Sequence, residues 1–379
     1  MRRVKIAGVG LIKIQEYWDS SIQDLFAEAS LKAIKDSGVD DIDRIYVSNM
    51  SAALMQDQLN LAAIMTDSLG KPGLPATRVE ASSASGGVAF HEAVQAVASG
   101  FSDAVLVTGV EKMSDILPEV VTTSLAMAEE QEYTSYTGVT KAGLAAMIHR
   151  LYMDLYASAE EIGMMAVKSH DHAVGCKHAQ YPFKMSIERA MSSPMEADPI
   201  HSMECSGIGD GAAAIVLVPA DKIGVEVVGT AISTDYTSIA QRPDPLEMKA
   251  IKTAANKAYN MAGIKPKDVS LAEVQDDFTI NGVLGIEGLG LAKTGEGAKL
   301  VSSPEVDKDG KIPVNTFGGL KARGNPIGAT GIYQLGEIAL QLRGDAGAHQ
   351  VNDAEIGVAQ NMGGMASICA VNILRRVGQ

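Results

Sequence analysis

Two stretches of the chain recur further along it, in the same order. Ala29–Asp43 reads as an amphipathic helix closed by Gly38, with a polar turn leading into a strand; Ala255–Val269 repeats that reading, with Gly263 as the stop. Ser85–Gly100 and Ile327–Gly344 both start on small residues, run as helices and end on glycine. A strand follows each, Asp103–Thr108 and Glu355–Gln360. One such match is common by chance, but two in the same order indicate a duplicated unit. Strands alternating with helices inside each copy restrict the architecture to a layered α/β fold. The expectation is two similar α/β halves in an α-β-α arrangement, over residues 1–219 and 220–379.

Within the first copy, Val4–Ile14 reads as a glycine-punctuated strand and turn. Ser20 or Ser21 caps a helix that runs to Ser37 and stops at Gly38. A short strand over Arg44–Ser48 and a helix near Leu59–Leu69 follow. From Glu111 to about Ser202 the chain becomes rich in Met, Tyr and Ser with irregular periodicity, apart from a helix expected at Ala159–Val174. Gly207–Val218 restores the strand pattern. Residues 112–200 are therefore read as an insertion carrying loops over the site.

Charge and cysteine usage narrow the function. A formal net charge of −14 argues against nucleic acid or an anionic membrane as the principal partner. No apolar run approaches a membrane span, and the start of the chain lacks a signal-type cleavage site. Cys176, Cys205 and Cys369 show no disulfide spacing, which suits a reducing cytosol; a soluble, cytoplasmic protein is expected.

Four Gly- or Asp-marked loops follow expected strands, where α/β folds place their chemistry. They are Ser83-Ala84-Ser85-Gly86-Gly87, Glu273-Val274-Gln275-Asp276-Asp277-Phe278, Gly318 to Gly331, and Gln360-Asn361-Met362-Gly363-Gly364-Met365. The first places a hydroxyl at the positive end of a helix, beside backbone N–H groups that can hold a developing oxyanion.

Together with Glu204-Cys205-Ser206-Gly207-Ile208-Gly209-Asp210-Gly211, these loops resemble the thiolase superfamily from end to end. The similarity is strongest to its archaeal and sterol-carrier-protein-linked acetyl-CoA acetyltransferase branches. The third stretch, Gly-Gly-Leu-Lys-Ala-Arg-Gly-Asn-Pro-Ile-Gly-Ala-Thr-Gly, is the most specific. The resemblance implies the thiolase fold, acyl-CoA as ligand and no cofactor or bound metal. It also implies a homodimer or homotetramer and, in the archaeal branch, a small zinc-ribbon/OB-fold partner protein. It makes Ser83, Gln275, Asp276 and Asn325 the candidate catalytic residues. Ser85, Asp277, Phe278, Asn361, Gly363 and Gly364 are the candidate substrate-binding ones.

The departures from the family pattern fall on the chemistry. Ser83 stands where the family has its nucleophilic Cys, Asn325 where it has the His of Gly-His-Pro, and Gln275 where it has the His of the second loop. All seven histidines lie outside the four loops. A serine without a neighbouring base is a poor nucleophile at neutral pH. Ordinary thiolysis is therefore not expected. Asn325, Gln275 and loop N–H groups could instead stabilise an oxyanion or enolate, with Asp276 or Asp277 as base. Thiolase-like retro-aldolases that lack the Cys give a precedent. The alternative is a catalytically silent acyl-CoA-binding or scaffold subunit.

Several residues have plainer readings beside these. Ser83 could simply let a strand meet a helix, and one of Asp276 and Asp277 could be a solvated turn residue. Asn325 could be a turn residue before Pro326. Tyr333 is read as core, with an acid role as the alternative. His170-x-His172-x₃-Cys176-x-His178 spreads over different helix faces, so a metal site is not expected. With Lys168, Lys177 and Lys184 it is either a contact for the phosphates or adenine of CoA or a plain surface. Cys205 and Cys369 read as buried structural thiols.

Overall fold

The computed structural model describes residues 2–220 and 224–378. Nine strands form one sheet: β1 (Val4–Leu11), β2 (Arg44–Ser48), β3 (Ala76–Val79), β4 (Val105–Glu111), β7 (Gly211–Pro219), β8 (Gly224–Thr234), β9 (Leu271–Glu273), β10 (Ile356–Gly363) and β11 (Ile368–Val377). β5 (Met195–Ala197) and β6 (Ile200–His201) make a separate ribbon. The order β3-β2-β4-β7-β1-β8-β11-β10-β9 is nearly palindromic. β1 meets β8 at its centre in a short antiparallel pairing, Val4↔Val227 to Ile6↔Val225. The duplication is thus built into the sheet itself.

The helices are α1 (Ile22–Ser37), α2 (Ala52–Met55), α3 (Leu61–Ser68), α4 (Ser85–Ser99), α5 (Pro118–Ala126), α6 (Lys141–Leu155), α7 (Ala159–Ala173), α8 (Ile187–Met191), α9 (Lys249–Ala262), α10 (Thr279–Gly288), α11 (Gly297–Ser302) and α12 (Thr330–Arg343). Of the two capping candidates for α1, Ser21 is the cap. Its hydroxyl accepts from the Asp24 N–H, and the Asp24 carboxylate accepts from the Ser21 N–H.

Side-chain alternation decides the layers. On β4 and β7, Val105, Val107, Ala213, Ile215 and Leu217 face inward to α4 and α12, while Leu106, Val110, Ala212, Ala214 and Val216 face outward to α1 and α3. On the second half, Ala359 and Leu374 face the same inner helices, and Val358, Val371 and Ile373 face α9 and α10. Both sheet halves are therefore covered on both faces, and α4 and α12 form the shared middle layer of the stack. Sequestered there, α12 buries even Gln334, Glu337 and Gln341, each of which finds a polar partner.

The two middle helices touch at their N-termini. A Cβ on Gly86 would lie 2.8 Å from the Gly331 N and 2.9 Å from its Cα. Backbone cannot give way as a flexible side chain can. Gly86→Ala is therefore expected to cost about 1–3 kcal/mol of stability, read as a lower urea midpoint at unchanged slope. An unaltered midpoint would show that the crossing is looser than described.

The segment between β4 and β7 holds α5 to α8 and the β5–β6 ribbon. Here α6 and α7 pack against α10, and α7 also packs against the Gly319–Arg323 turn. Among the described residues, no helix is long and apolar enough to cross a membrane.

Candidate active site

The four loops converge where α4 and α12 begin. Ser82 sits in the left-handed region at φ +53°, an uncommon conformation for a residue with a side chain. The Ser85 hydroxyl holds that turn, donating to the Ser82 carbonyl at 2.5 Å and accepting from the Ala81 N–H at 2.9 Å. Ser83 follows, 1% exposed, and its Oγ has no hydrogen-bond partner.

Asn361, near the end of β10, ties three loops together. Its Nδ2 donates to the Ser83 carbonyl (3.0 Å) and to Gln275 Oε1 (2.9 Å), and its Oδ1 accepts from the Gly87 N–H (2.9 Å). Gln275 Oε1 also accepts from the Met362 N–H, but its Nε2 is buried with no partner. Two polar atoms, Ser83 Oγ and Gln275 Nε2, are thus unsatisfied on either side of Asn361. Orphaned buried groups are uncommon in native structures and mark a place where a ligand can supply the missing bonds. The expected N–H donors at the helix start are mostly committed. Ala84 and Ser85 donate to Ala81 and Ser82, and Gly87 donates to Asn361.

Asn325 belongs to a second, separate set of bonds. One Nδ2 hydrogen reaches Ser206 Oγ at 3.2 Å, its Oδ1 accepts from Thr330, and the Ser206 N–H donates to the Asp277 carbonyl at 2.8 Å. Next to Ser206 lies a cavity of about 210 Å³ lined by His170, Tyr181, Phe183, Cys205 and Lys321. A larger groove, about 520 Å³, runs along the C-terminal end of α4 past Phe101 and Met261 and contains none of the site residues.

The two candidate bases are both engaged. Asp276 lies under the third loop, accepting from the Leu320 N–H (2.6 Å) and Ser169 Oγ (2.7 Å). Burial raises its pKa to about 6 in spite of those bonds and the nearby Arg323. Asp277 forms a buried 2.6 Å ion pair with Lys141 and accepts from Asn281. Phe278 precedes α10 and is bridged through its backbone to Cys205. Gly363 must be glycine because a Cβ there would approach the Ala81 carbonyl to 2.6 Å, and Gly364 has φ +58°.

One of the plainer readings holds and two change. Tyr333 is core, its hydroxyl donating to the Ile12 carbonyl. The His170–His178 segment does not form one phosphate-facing surface. His172 turns in to the Val314 carbonyl, His178 pairs with Glu337, and His170 alone of the three lines the cavity. Cys205 is a half-buried wall of that cavity rather than a core thiol, one residue from the Ser206 that Asn325 holds. It is no substitute nucleophile, because burial pushes its pKa up to about 12 and leaves it protonated. Among the described residues, no group of three or more His, Cys, Asp or Glu side chains is arranged to hold a metal ion.

Comparison with known proteins settles the lineage. The thiolase N-terminal domain family matches residues 6–221, and the thiolase C-terminal domain-like family matches residues 231–376. The chain belongs to the thiolase family. The acetyl-CoA acetyltransferase of Methanothermobacter thermautotrophicus is 43% identical over 99% of this chain and 100% of its own length. Human sterol carrier protein 2 is 30% identical over 96% of this chain and 70% of its own. A solved structure described as an Ltp2-ChsH2(DUF35) aldolase superimposes with a TM-score of 0.85 at 22% identity, over 99% of this chain and 98% of that one.

Beneath the third loop of this thiolase-family protein lies a buried charge network that sequence reading missed. Arg323 Nη1 pairs with Glu337 Oε2 and His178 Nε2 with Glu337 Oε1, both at 2.7 Å. Burial alone would lower the His178 pKa, but hydrogen bonds to the Cys176 sulfur and the Glu337 carboxylate outweigh it and raise the pKa to about 9. A raised folded pKa contributes stability that is complete below the unfolded value of 6.5 and lost as pH rises through about 9. Between those values the wild type should lose on the order of 2–3 kcal/mol from this group. Unfolding free energies at the two ends, compared with His178→Gln, measure it. Equal slopes for the two proteins would remove His178 from the account.

Proposed function

We propose that this protein binds acyl-CoA thioesters and carries out carbon–carbon bond chemistry on them without a covalent acyl-enzyme. The reaction would be condensation or retro-aldol cleavage. The observation that carries this reading is the pair of buried unsatisfied atoms, Ser83 Oγ and Gln275 Nε2, held on either side of Asn361. A thioester carbonyl placed between them would gain two donors as its oxygen became an oxyanion or enolate. Ser83 has no imidazole or amine among its hydrogen-bond partners to make it a nucleophile. The cavity beside Ser206 and Asn325 offers a way in. The aldolase among the fold's solved examples is a precedent for such chemistry, and its two-component description supports a small partner protein. Relatives over the full length named acetyl-CoA acetyltransferase support the CoA ligand. No cofactor enters this reading, and a cytoplasmic homodimer or homotetramer is part of it.

Calorimetric titration with CoA and acetoacetyl-CoA, alongside a free-CoA assay and a panel of β-hydroxyacyl-CoAs, tests it. Binding with aldol cleavage and no thiol-dependent cleavage is the expected result. Thiol-dependent cleavage would overturn the non-covalent reading. Binding without turnover would leave the protein as a silent acyl-CoA-binding or scaffold subunit.

A further inference from the structure

The chemistry above needs a base, and neither aspartate of the second loop presents a free oxygen: Asp276 is hydrogen-bonded under the third loop and Asp277 is paired with Lys141. A third carboxylate has no such commitment. Glu129 follows α5 and is 6% exposed, with both carboxylate oxygens buried and no side chain hydrogen-bonded to either. It faces the Gly363–Gly364 turn. A Cβ on Gly364 would lie 3.1 Å from Glu129 Oε1 and 3.2 Å from the Ala128 carbonyl. A Cβ on Gly363 would meet the other side, 2.6 Å from the Ala81 carbonyl and 3.0 Å from Ser82 Cβ. Two side-chain-free residues thus separate the carboxylate from the turn that carries Ser83.

Two charged groups and one backbone N–H frame Glu129. Lys141 at the start of α6 is close enough to act on it while pairing with Asp277. Arg242, from the loop before α9, donates to the Met365 carbonyl at 2.7 Å and lies 3.7 Å from Asp235. The Met365 N–H adds a weak backbone hydrogen bond to the carboxylate. Burial raises the Glu129 pKa, and these three groups draw it part of the way back. A buried carboxylate held by no side-chain hydrogen bond is costly to keep, and carboxylates with raised pKa gather where proton transfer is required.

We propose that Glu129 is the proton-transferring base of this site. The proposal rests on the acyl-CoA reading above. In the cleavage direction the Glu129 carboxylate takes the proton of a β-hydroxyl. The O–H electron pair becomes the new carbonyl, the Cα–Cβ bond breaks, and its electrons pass to the thioester enolate held by Gln275 Nε2. Glu129 then returns the same proton to Cα, giving an acyl-CoA and an aldehyde or ketone with no other reactant consumed. In the reverse sense, Glu129 removes a Cα proton from the acyl-CoA.

That last step can be read without any carbon–carbon bond changing. Acetyl-CoA is incubated with the full chain in D₂O, and deuterium entering its methyl group is followed by mass spectrometry, with calorimetric binding on the same samples. Wild type is expected to exchange, at a rate that rises with pH to a plateau. Glu129→Gln should bind acetyl-CoA normally, exchange about 10²–10⁴-fold more slowly, and lose the pH dependence. Glu129→Asp, which keeps the carboxylate, should recover part of the rate and excludes a merely structural loss. Exchange by Glu129→Gln at the wild-type rate would overturn the proposal. So would acetyl-CoA bound by wild type with no exchange at all, with the acyl-CoA reading left standing. Exchange that depends on Glu129 in a protein cleaving no β-hydroxyacyl-CoA would uphold the base and overturn the aldol reading. Failure to bind any acyl-CoA would overturn both.

Discussion

Arg323→Met is expected to lower the unfolding free energy by about 3–5 kcal/mol. Arg323 is fully buried, and its guanidinium is the principal counter-charge for an interior cluster of acids. Glu337 takes its Nη1 at 2.7 Å, and Glu273 and Asp276 lie within its electrostatic reach. Glu273 already has a pKa held well above the usual carboxylate range by burial and by Glu337, and its Oε2 is unpartnered. Methionine fills much of the same volume, so the loss would be one of charge and hydrogen bonds rather than of packing. With the cation gone, Glu337 would keep only His178 as partner. The expected penalty is that of a buried charge left uncompensated, which exceeds what the intact pair contributes. Arg343→Met makes the control. It breaks a partly exposed pair with Asp36, and such pairs contribute only about 0–1 kcal/mol. Chemical denaturation of both variants measures the difference. Equal small losses would mean that the interior cluster neutralises itself by protonation.

The same variant should also loosen the third loop, because it removes the side-chain tie from Arg323 to Glu337 on α12 and leaves only backbone bonds to hold the turn. The Arg323 carbonyl accepts from the Gln180 N–H and the Ala322 carbonyl from the Tyr181 N–H, so the turn that carries Lys321 is pinned against one wall of the cavity. Acyl-CoA affinity is expected to fall together with stability in Arg323→Met, and to stay unchanged in Arg343→Met.

What could be read in advance follows from the range over which each signal acts. The duplication, the capping of α1 at Ser21 and the glycine stops of α1, α4, α9 and α12 are local patterns, and the helices end where those residues stand. The four loops were legible because small residues after strands carry a specific spacing. The partners inside the site were not. Glu129 and Lys141 sit in the irregular stretch that reads as an insertion of loops, and long-range contacts bury them, Glu129 against the Gly363–Gly364 turn and Lys141 against Asp277. Asp210 likewise reads only as part of a glycine-rich run. Its carboxylate accepts from the N–H groups of Tyr17, Met113 and Ser114, joining segments far apart in sequence. A Gly-Asp-Gly turn before a buried strand was the available signal. The His170–His178 segment failed in the opposite sense. Its close spacing drew attention as a cluster, while α7 and the turn after it send the three imidazoles to different partners.

Restoring the family's reactive groups gives the largest expected change in chemistry. Ser83→Cys alone should leave CoA-dependent cleavage of acetoacetyl-CoA at background, because nothing bonded to residue 83 can take its proton. Burial of a lone thiol beside Asn361 would raise its pKa further. Adding Asn325→His and Gln275→His is expected to raise thiolysis about 10²–10⁴-fold over the single variant, the usual contribution of a positioned base. The geometry leaves room for both changes. Asn325 is 9% exposed next to Ser206 at the cavity wall. Gln275 already offers Oε1 to Asn361 and Met362, bonds that one acceptor nitrogen of an imidazole can partly retain. The readout is loss of acetoacetyl-CoA on addition of CoA, with calorimetric binding of CoA as the check that each variant still holds its ligand. Activity in Ser83→Cys equal to that of the triple variant would place a competent base elsewhere in the site, with Glu129 the first to test by Glu129→Gln in that background. A triple variant that binds CoA tightly yet stays silent would shift attention to the Lys141–Asp277 pair. Both members of that pair are buried, 2.6 Å apart, and Asp277 is followed directly by Phe278.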